Sequence, residues 1–353
     1  MSPMIQSLKI PLRGGVWVRS LPRVLVTPEI SNSGTGRKIG RLAAAALASW
    51  VVAGAGLVTA AAGEQTGPPR RVIAGDDSKR TVASIAPDGK VEWKLENGAI
   101  HDLHLLPDGH LLLQNGWTKI IELDRDRKPV WEYDAKAGDN ANRGVEVHAF
   151  QRLADGATMI VESGPARILE VTRDGKVRKT IPLVIKNPAV HSDTRNVRKT
   201  VSGTYLVAHE HDGVVREYDA DGKVIWEYEV PLFGKEPKPG HGPEAFGNEL
   251  YSAIRLSNGN TLIGTGNGHG VLEVTPKKEI VWRIDQNDLP GITLAWVTQV
   301  TRKPNGNTIF INCHAGPENP QIIEVDPSKK VIWTFKDFET FGNSMPVAVI
   351  GEP

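Results

Sequence analysis

The chain has 353 residues, and its 42 Lys and Arg against 41 Asp and Glu leave a formal net charge of +1. That balance excludes a general electrostatic grip on nucleic acid or on an anionic membrane surface. Cys313 is the only cysteine, which excludes an intramolecular disulfide, a thiolate zinc cluster and covalent haem attachment, and 36 Gly with 24 Pro point to many tight turns.

Residues 1–36 carry no clear periodicity and are read as a leader to which no fold is assigned. Residues 37–62 have a basic start (Arg37, Lys38, Arg41), an apolar run (Leu42–Val58) and a small-residue site at Ala60-Ala61-Ala62. This order predicts a signal peptide cleaved after Ala62, export to the periplasm or beyond, and no membrane span in the processed chain. Residues 63–70 read as a linker, and the folded domain is expected over 71–353.

The organising stretch is Ile100–Asn115, IHDLHLLPDGHLLLQN, which reads as strand, Pro-Asp-Gly turn, strand. It returns around Gly156, Gly203, Gly259 and Gly306, so that the turn glycines, counted from Gly109, are 47, 47, 56 and 47 residues apart. Each hairpin is followed by a second signature, as in TKIIELDRDRKPVWEY and PQIIEVDPSKKVIWTF, and a sixth copy, RTVASIAPDGKVEWKL, opens the domain. A period in the forties with four strands of pattern per unit predicts a β-propeller. The expected fold is all-β, a six-bladed propeller of four-stranded blades, with strands A to D running outward from the channel. A strands are placed near Ile100, Val147, Thr194, Leu250 and Val297. The last blade joins N-terminal strands B–D to a C-terminal strand A in Asn343–Ile350, which removes the free edge.

Trp93, Trp131, Trp226, Trp282 and Trp333 fall in D strands, where blade-to-blade packing explains them. Glu122, Glu170, Glu217, Glu273 and Glu324 recur in strand C and are read as an inter-strand hydrogen-bonding device. Eight residues before each turn glycine stand His101, His148, Arg195, Tyr251 and Thr298, with Asn343 as the sixth if Gly351 is the equivalent glycine. These are expected to ring the channel mouth, above a girdle of Leu103, Phe150, Val197, Ala253, Val300 and Met345. His191, His209, His211, His241, His269 and His314 map to the same face, and the insertion 231–248 overhangs it as a lid. No metal is assigned, although His209-x-His211 with Glu210, Asp212 or His269 leaves a divalent-metal site open. Cys313, at the end of TIFINC, reads as a core thiol.

The H-D-x-H-x-L-P-D-G-x-L-L hairpin and the I-I-E-V/L-D…V-W-E-Y signature resemble PQQ-like, quinoprotein-type repeats, and more closely the bacterial arylsulfotransferase-like six-bladed propellers. The resemblance implies PAPS-independent sulfuryl transfer through a channel-mouth histidine, with His101, His148 or His191 as carrier and Arg195 holding oxyanion charge. The chain departs from those enzymes in having no separate N-terminal β-domain and no S-x-R pattern at the ends of the B strands. It also lacks the eight blades, docking tryptophans and paired cysteines of PQQ dehydrogenases, so no PQQ is expected. The function expected from these residues is an exported, monomeric propeller that binds a small ligand or a protein partner at a His/Arg-lined mouth. Aryl sulfotransfer is the alternative, and a scaffold for protein contacts a further one.

Overall fold

The computed structural model describes residues 63–352; the leader 1–36 and the signal peptide 37–62 lie outside the described residues. No helix among the described residues is long and apolar enough to cross a membrane. The strands are β1 (Glu64–Thr66), β2 (Val72–Asp76), β3 (Thr81–Ile85), β4 (Val91–Glu96), β5 (Leu103–Leu105), β6 (Leu111–Gln114), β7 (Lys119–Leu123), β8 (Pro129–Asp134), β9 (Phe150–Arg152), β10 (Thr158–Glu162), β11 (Arg167–Val171) and β12 (Val177–Pro182). They continue as β13 (Asn196–Lys199), β14 (Tyr205–His209), β15 (Val214–Tyr218), β16 (Val224–Glu229), β17 (Ser252–Arg255), β18 (Thr261–Gly264), β19 (Val271–Val274), β20 (Ile280–Ile284), β21 (Trp296–Arg302), β22 (Thr308–Cys313), β23 (Ile322–Val325), β24 (Val331–Lys336) and β25 (Val347–Ile350). They form six antiparallel sheets, the six expected blades: β5–β8, β9–β12, β13–β16, β17–β20, β21–β24, and a closing blade in the order β25-β2-β3-β4.

The hairpin turns follow from their chemistry. Gly109 sits at φ +82°, a left-handed conformation that glycine adopts without steric penalty, and its N–H donates to Leu106 O at 2.8 Å. In all six blades the C–D register slips at the same place, at Glu122/Leu123 and its equivalents through Ser84/Ile85 in the closing blade. Such a bulge bends the outer strand and increases twist, as a wedge-shaped blade requires.

The core lies between blades. One cluster joins Ile120, Trp131 and Tyr133 of the first continuous blade to Val147, Phe150 and Ile160 of the next. The glutamate series bonds within its own blade, as expected, to His110 (Glu122, 2.8 Å), Arg178 (Glu170, 2.9 Å), Thr204 (Glu217, 2.5 Å), Asn260 (Glu273, 2.7 Å) and Asn307 (Glu324, 2.6 Å), and it also acts across this boundary. Glu122 pairs with Arg152 at 2.5 Å, Glu273 with Arg302 at 2.7 Å, Glu217 with Arg255 and Glu170 with Lys199, each cation coming from the next blade's A strand. The same arginines lie over the D-strand rings, Arg152 on Trp131 at 5.1 Å, Arg255 on Trp226 at 5.0 Å and Arg302 on Trp282 at 5.3 Å. The reach across the seam was invisible because repeat alignment shows columns and not neighbours. At the seam between the closing and first blades, Ser84 replaces the glutamate and Leu105 replaces the cation. There Arg127, from the first blade's C–D turn, lies over the Trp93 ring at 4.3 Å instead.

Three expectations are corrected. The A strands begin at Leu103, Phe150, Asn196 and Ser252, two or three residues later than expected, because the preceding residues bend into the mouth; His101 N–H, for instance, donates to Gln114 Oε1 at 2.7 Å. In the closing blade Ala348 pairs with Ala74, which pairs with Ala83 beside Ser84, just as Leu103 lines up with Leu113, Ile121 and Glu122. Ala348 therefore holds the girdle position assigned to Met345, and Pro346 the ring position assigned to Asn343. Strands A and B are not joined in that blade, so there is no turn glycine to count from. Finally, residues 63–70 are no linker. They contain β1, which pairs with β24 as a fifth strand, and Gln65 Oε1 there accepts from Trp333 Nε1 at 3.0 Å and from Arg70 N–H at 2.9 Å. A three-residue strand carries too little alternation to be read.

Candidate functional site

The loops entering the A strands bring His101, Arg195, Tyr251, Thr298 and Pro346 to one end of the channel. There they line a cavity of about 180 Å³ together with Asp77, Trp117, His191, His241, Trp296, Cys313, His314 and Ser344. His148 takes its equivalent place just beneath, fully buried. Three imidazoles cluster on one side: ring centroids of His101 and His148 are 5.0 Å apart, those of His148 and His191 5.4 Å, and Trp117 lies 5.0 Å from His191. On the other side His241 meets Trp296 edge-on at 4.3 Å and stacks on His314 at 5.1 Å.

A directed hydrogen-bond chain holds the first cluster. Arg195, buried, places two nitrogens on the carboxylate of Glu210, one at 2.8 Å, and its Nη1 lies 2.8 Å from His148 Nδ1. A guanidinium can only donate, so His148 Nδ1 accepts and the ring carries its proton on Nε2. That Nε2–H donates to Glu146 Oε2 at 2.9 Å, and His191 Nδ1 donates to the same oxygen at 2.8 Å. Burial, then the Arg195 charge, pushes His148 down to about 3 against the pull of Glu146. Burial, Arg195 and His148 likewise hold His101 well below its ordinary value. Burial would raise Glu146, but its two imidazole hydrogen bonds outweigh this and hold it at about 2. The site therefore presents His101 and His148 as neutral imidazoles beside the ionised Glu146 carboxylate.

Glu146, His148 and His191 offer three ligand atoms within 4.8 Å of one another. The polarity of the chain opposes a cation there. A metal on His148 Nε2 would move the ring proton to Nδ1, facing the Arg195 donor, whereas ligating histidines give that proton to an acceptor.

The other histidines divide sharply. His209 ends β14 with Nδ1 2.9 Å from Asp193 O and Nε2 2.9 Å from Tyr218 Oη, and both His269 nitrogens meet backbone carbonyls, Ala295 O at 2.6 Å and Ala245 O. Their ligand valences are spent, and His211 lies beyond the strand in a turn, exposed, 3.9 Å from Glu249. The His209-x-His211 arrangement does not form. Asn343 is exposed and ties down the neighbouring loop, its Oδ1 accepting from Gly316 N–H at 2.9 Å. His314 lines the cavity at φ +60°, and burial followed by the nearby His241 holds it at about 4. Cys313 is buried with its thiol pushed up by desolvation, as a core thiol would be. The insertion brings His241 over the cavity and is anchored by the Ala245 carbonyl on His269 and by Gln286 Nε2 on Pro243 O at 2.7 Å.

Sequence reasoning missed Glu146, Asp77, Trp117 and Trp296, and it placed Glu210 beside His209 as a possible metal ligand, not as the partner of Arg195. A signal existed for the tryptophans: within the propeller they are the two outside the D-strand series. The carboxylates carried none, since nothing in VEVHAF marks Glu146 as a partner of His191, 45 residues away.

The buried neutral histidines set a pH dependence. In the unfolded chain His148 and His209 take up protons as pH falls through about 6.5, whereas both are held to about 3 in the fold. Stability from these rings is present above about pH 6.5 and is lost below it, by up to about 1.4 kcal/mol per pH unit for each ring. The unfolding free energy measured between pH 7 and pH 5 is expected to fall with a slope that reaches at least two protons, since His101 and His314 are held down as well. A flat profile would show that the rings are protonated in the fold.

A family model described as outer membrane protein assembly factor BamB matches residues 30–191. No curated protein sequence matches the chain. Among solved structures, a protein of unknown function from Bacteroides caccae superposes with a TM-score of 0.67 at 22% identity, covering 81% of this chain and 100% of that one. A streptogramin B lyase gives a TM-score of 0.53 at 12% identity, over 82% of this chain and 98% of that one. A catalytically inactive virginiamycin B lyase from Staphylococcus aureus, with quinupristin, gives 0.53 at 11% identity, over 82% and 99%. At these identities the likeness is one of fold. Joined to the six four-stranded sheets, it makes the fold of this chain a six-bladed β-propeller, similar over residues 30–191 to the BamB-type repeat model.

Proposed function

We propose that the protein is an exported propeller that binds a small molecule at the His/Arg-lined mouth. The observation that carries this reading is the cavity of about 180 Å³ on which His101, His191, Arg195, Tyr251, Trp117 and Trp296 converge. A void of about 150 Å³ is enough for benzene, so the buried part of the ligand is about one ring. Trp117 and Trp296 supply the readout: a phenol or other single-ring compound entering the mouth changes the intrinsic fluorescence, and Trp117→Ala weakens binding at least tenfold. Silence towards single-ring compounds of every charge, with an unchanged circular dichroism spectrum, would leave protein contact at the blade rims as the better account. Export rests on the order of residues 37–62, and mass spectrometry of the periplasmic or secreted protein tests it by its new N-terminus at Gly63.

The Glu146–His191 contact favours a second reading, histidine chemistry on the bound ligand. With Nδ1–H given to Glu146, His191 keeps an Nε2 lone pair, the arrangement of an imidazole nucleophile or general base. In sulfuryl transfer that nitrogen would attack the sulfur of an aryl sulfate, the S–O bond would break with release of the phenolate, and a phenol acceptor would then take the sulfuryl group. Release of a chromogenic phenol, abolished in His191→Ala or His101→Ala, supports it. No turnover and no sulfuryl mass gain on the protein would leave ligand binding alone.

A further inference from the structure

The sequence suggested a small anionic or aromatic ligand, or a protein partner, for a mouth surrounded by histidines and an arginine. The charges as arranged point away from an anion. Arg195 is neutralised by Glu210 through two contacts and spends a further donor on His148. His101 and His148 are held neutral, as is His314 above about pH 4. Among the lining residues the one carboxylate is Asp77. It lines the cavity half-buried, and among the described residues its carboxylate has neither a hydrogen bond nor an ion pair; its own amide and carbonyl serve the backbone, with Ser344 O and Arg80 N–H. Burial and then the neighbouring Asp76 charge raise its pKa, and Arg80, which is exposed, His191 and Arg195 oppose this only through space. A desolvated carboxylate without a partner is a standing penalty that a bound cation relieves. The aromatic rings of Trp117, Trp296 and Tyr251 line the same cavity, and such rings attract cations.

We propose that the mouth selects a cationic single-ring ligand, an aryl-alkyl amine, with its ammonium on Asp77 and its ring among Trp117, Trp296 and Tyr251. This rests on the reading of the mouth as a small-molecule site and names the ligand's charge class.

Three probes of nearly equal size separate the cases by isothermal titration at pH 7.5: tyramine, 4-ethylphenol and 4-hydroxyphenylacetate. Tyramine is expected to bind at least tenfold more tightly than 4-ethylphenol, and the carboxylate more weakly than both. Asp77→Asn should bring tyramine to the affinity of 4-ethylphenol and leave 4-ethylphenol itself unchanged, which a general loss of folding could not do. Tighter binding of the carboxylate, or a tyramine preference that survives Asp77→Asn, would overturn the charge assignment while keeping the ligand site. Failure of all three probes on folded protein would overturn the ligand site itself.

Discussion

Arg195→Ala is expected to destabilise the fold by about 3–5 kcal/mol, the range for removing one partner of a buried ion pair. The substitution strands the Glu210 carboxylate, 4% exposed and held in the structure by Arg195. It also removes the donor that fixes the His148 tautomer and the guanidinium 5.8 Å from the Tyr251 ring. Urea unfolding followed by tryptophan fluorescence measures the change. If Arg195→Ala alone does not fold, the Arg195→Met/Glu210→Leu pair decides the matter, because removing both charges together should restore most of the loss. A loss below about 1 kcal/mol for the single change would be the value of a solvated surface pair and would refute the buried-pair account. The prediction separates two roles for one residue: Arg195 supports the histidines from behind, and its removal disturbs the mouth even for a ligand that never touches it.

Arg70→Met is expected to cost about 3–5 kcal/mol at a different place, the seam between the fifth continuous blade and the closing one. Arg70 is 3% exposed and its partner Glu324 1%, and the guanidinium lies 4.9 Å above the Trp333 ring. Four of the other seams take their cation from an A strand, but in the closing blade Ile350 stands in that register and cannot supply one. Arg70, delivered by the chain between β1 and β2, makes up the deficit. Asn307 Nδ2 remains on Glu324 at 2.6 Å, which places the loss at the lower end of the range. The Arg70→Met/Glu324→Leu pair should be nearly as stable as the parent, since the first seam already works with Leu105 and Ser84 in these two places. A double variant as unstable as the single would mean that stacking on Trp333, not charge, is what Arg70 contributes.

How much of this was legible in the sequence depended on whether a feature repeats. Blade number, the closing of the ring and the D-strand tryptophans all followed from spacing, because every blade meets the same steric problem and solves it with the same residues. Five of the six ring positions followed for the same reason. The sixth slipped by three residues at the one junction without a turn, and the short β1 has no counterpart in the other blades. The cluster around Glu146 was illegible for a related cause. It is assembled from Glu146, His148, His191 and Arg195, which belong to neighbouring blades and meet only because the ring curves, and a reading along one strand cannot show which loops curvature brings together. The histidines of one face were visible as a group, but their division into buried structural rings (His209, His269) and cavity rings (His101, His191, His241, His314) depends on which nitrogens find carbonyl partners. That is decided in three dimensions.

The blade shared by the two ends has a consequence for timing. Strands β2, β3 and β4 are among the first parts of the domain to be synthesised, whereas β25, their inner neighbour, is among the last, about 250 residues later. At roughly 5–20 residues per second this is about 12–50 s, during which the inner edge of β2 has no strand to bind and five buried residues, Val72–Asp76, have no cover on that side. If the chain crosses a membrane unfolded, that wait is spent under the care of whatever keeps it extended, and the ring closes in one step once the last strand arrives.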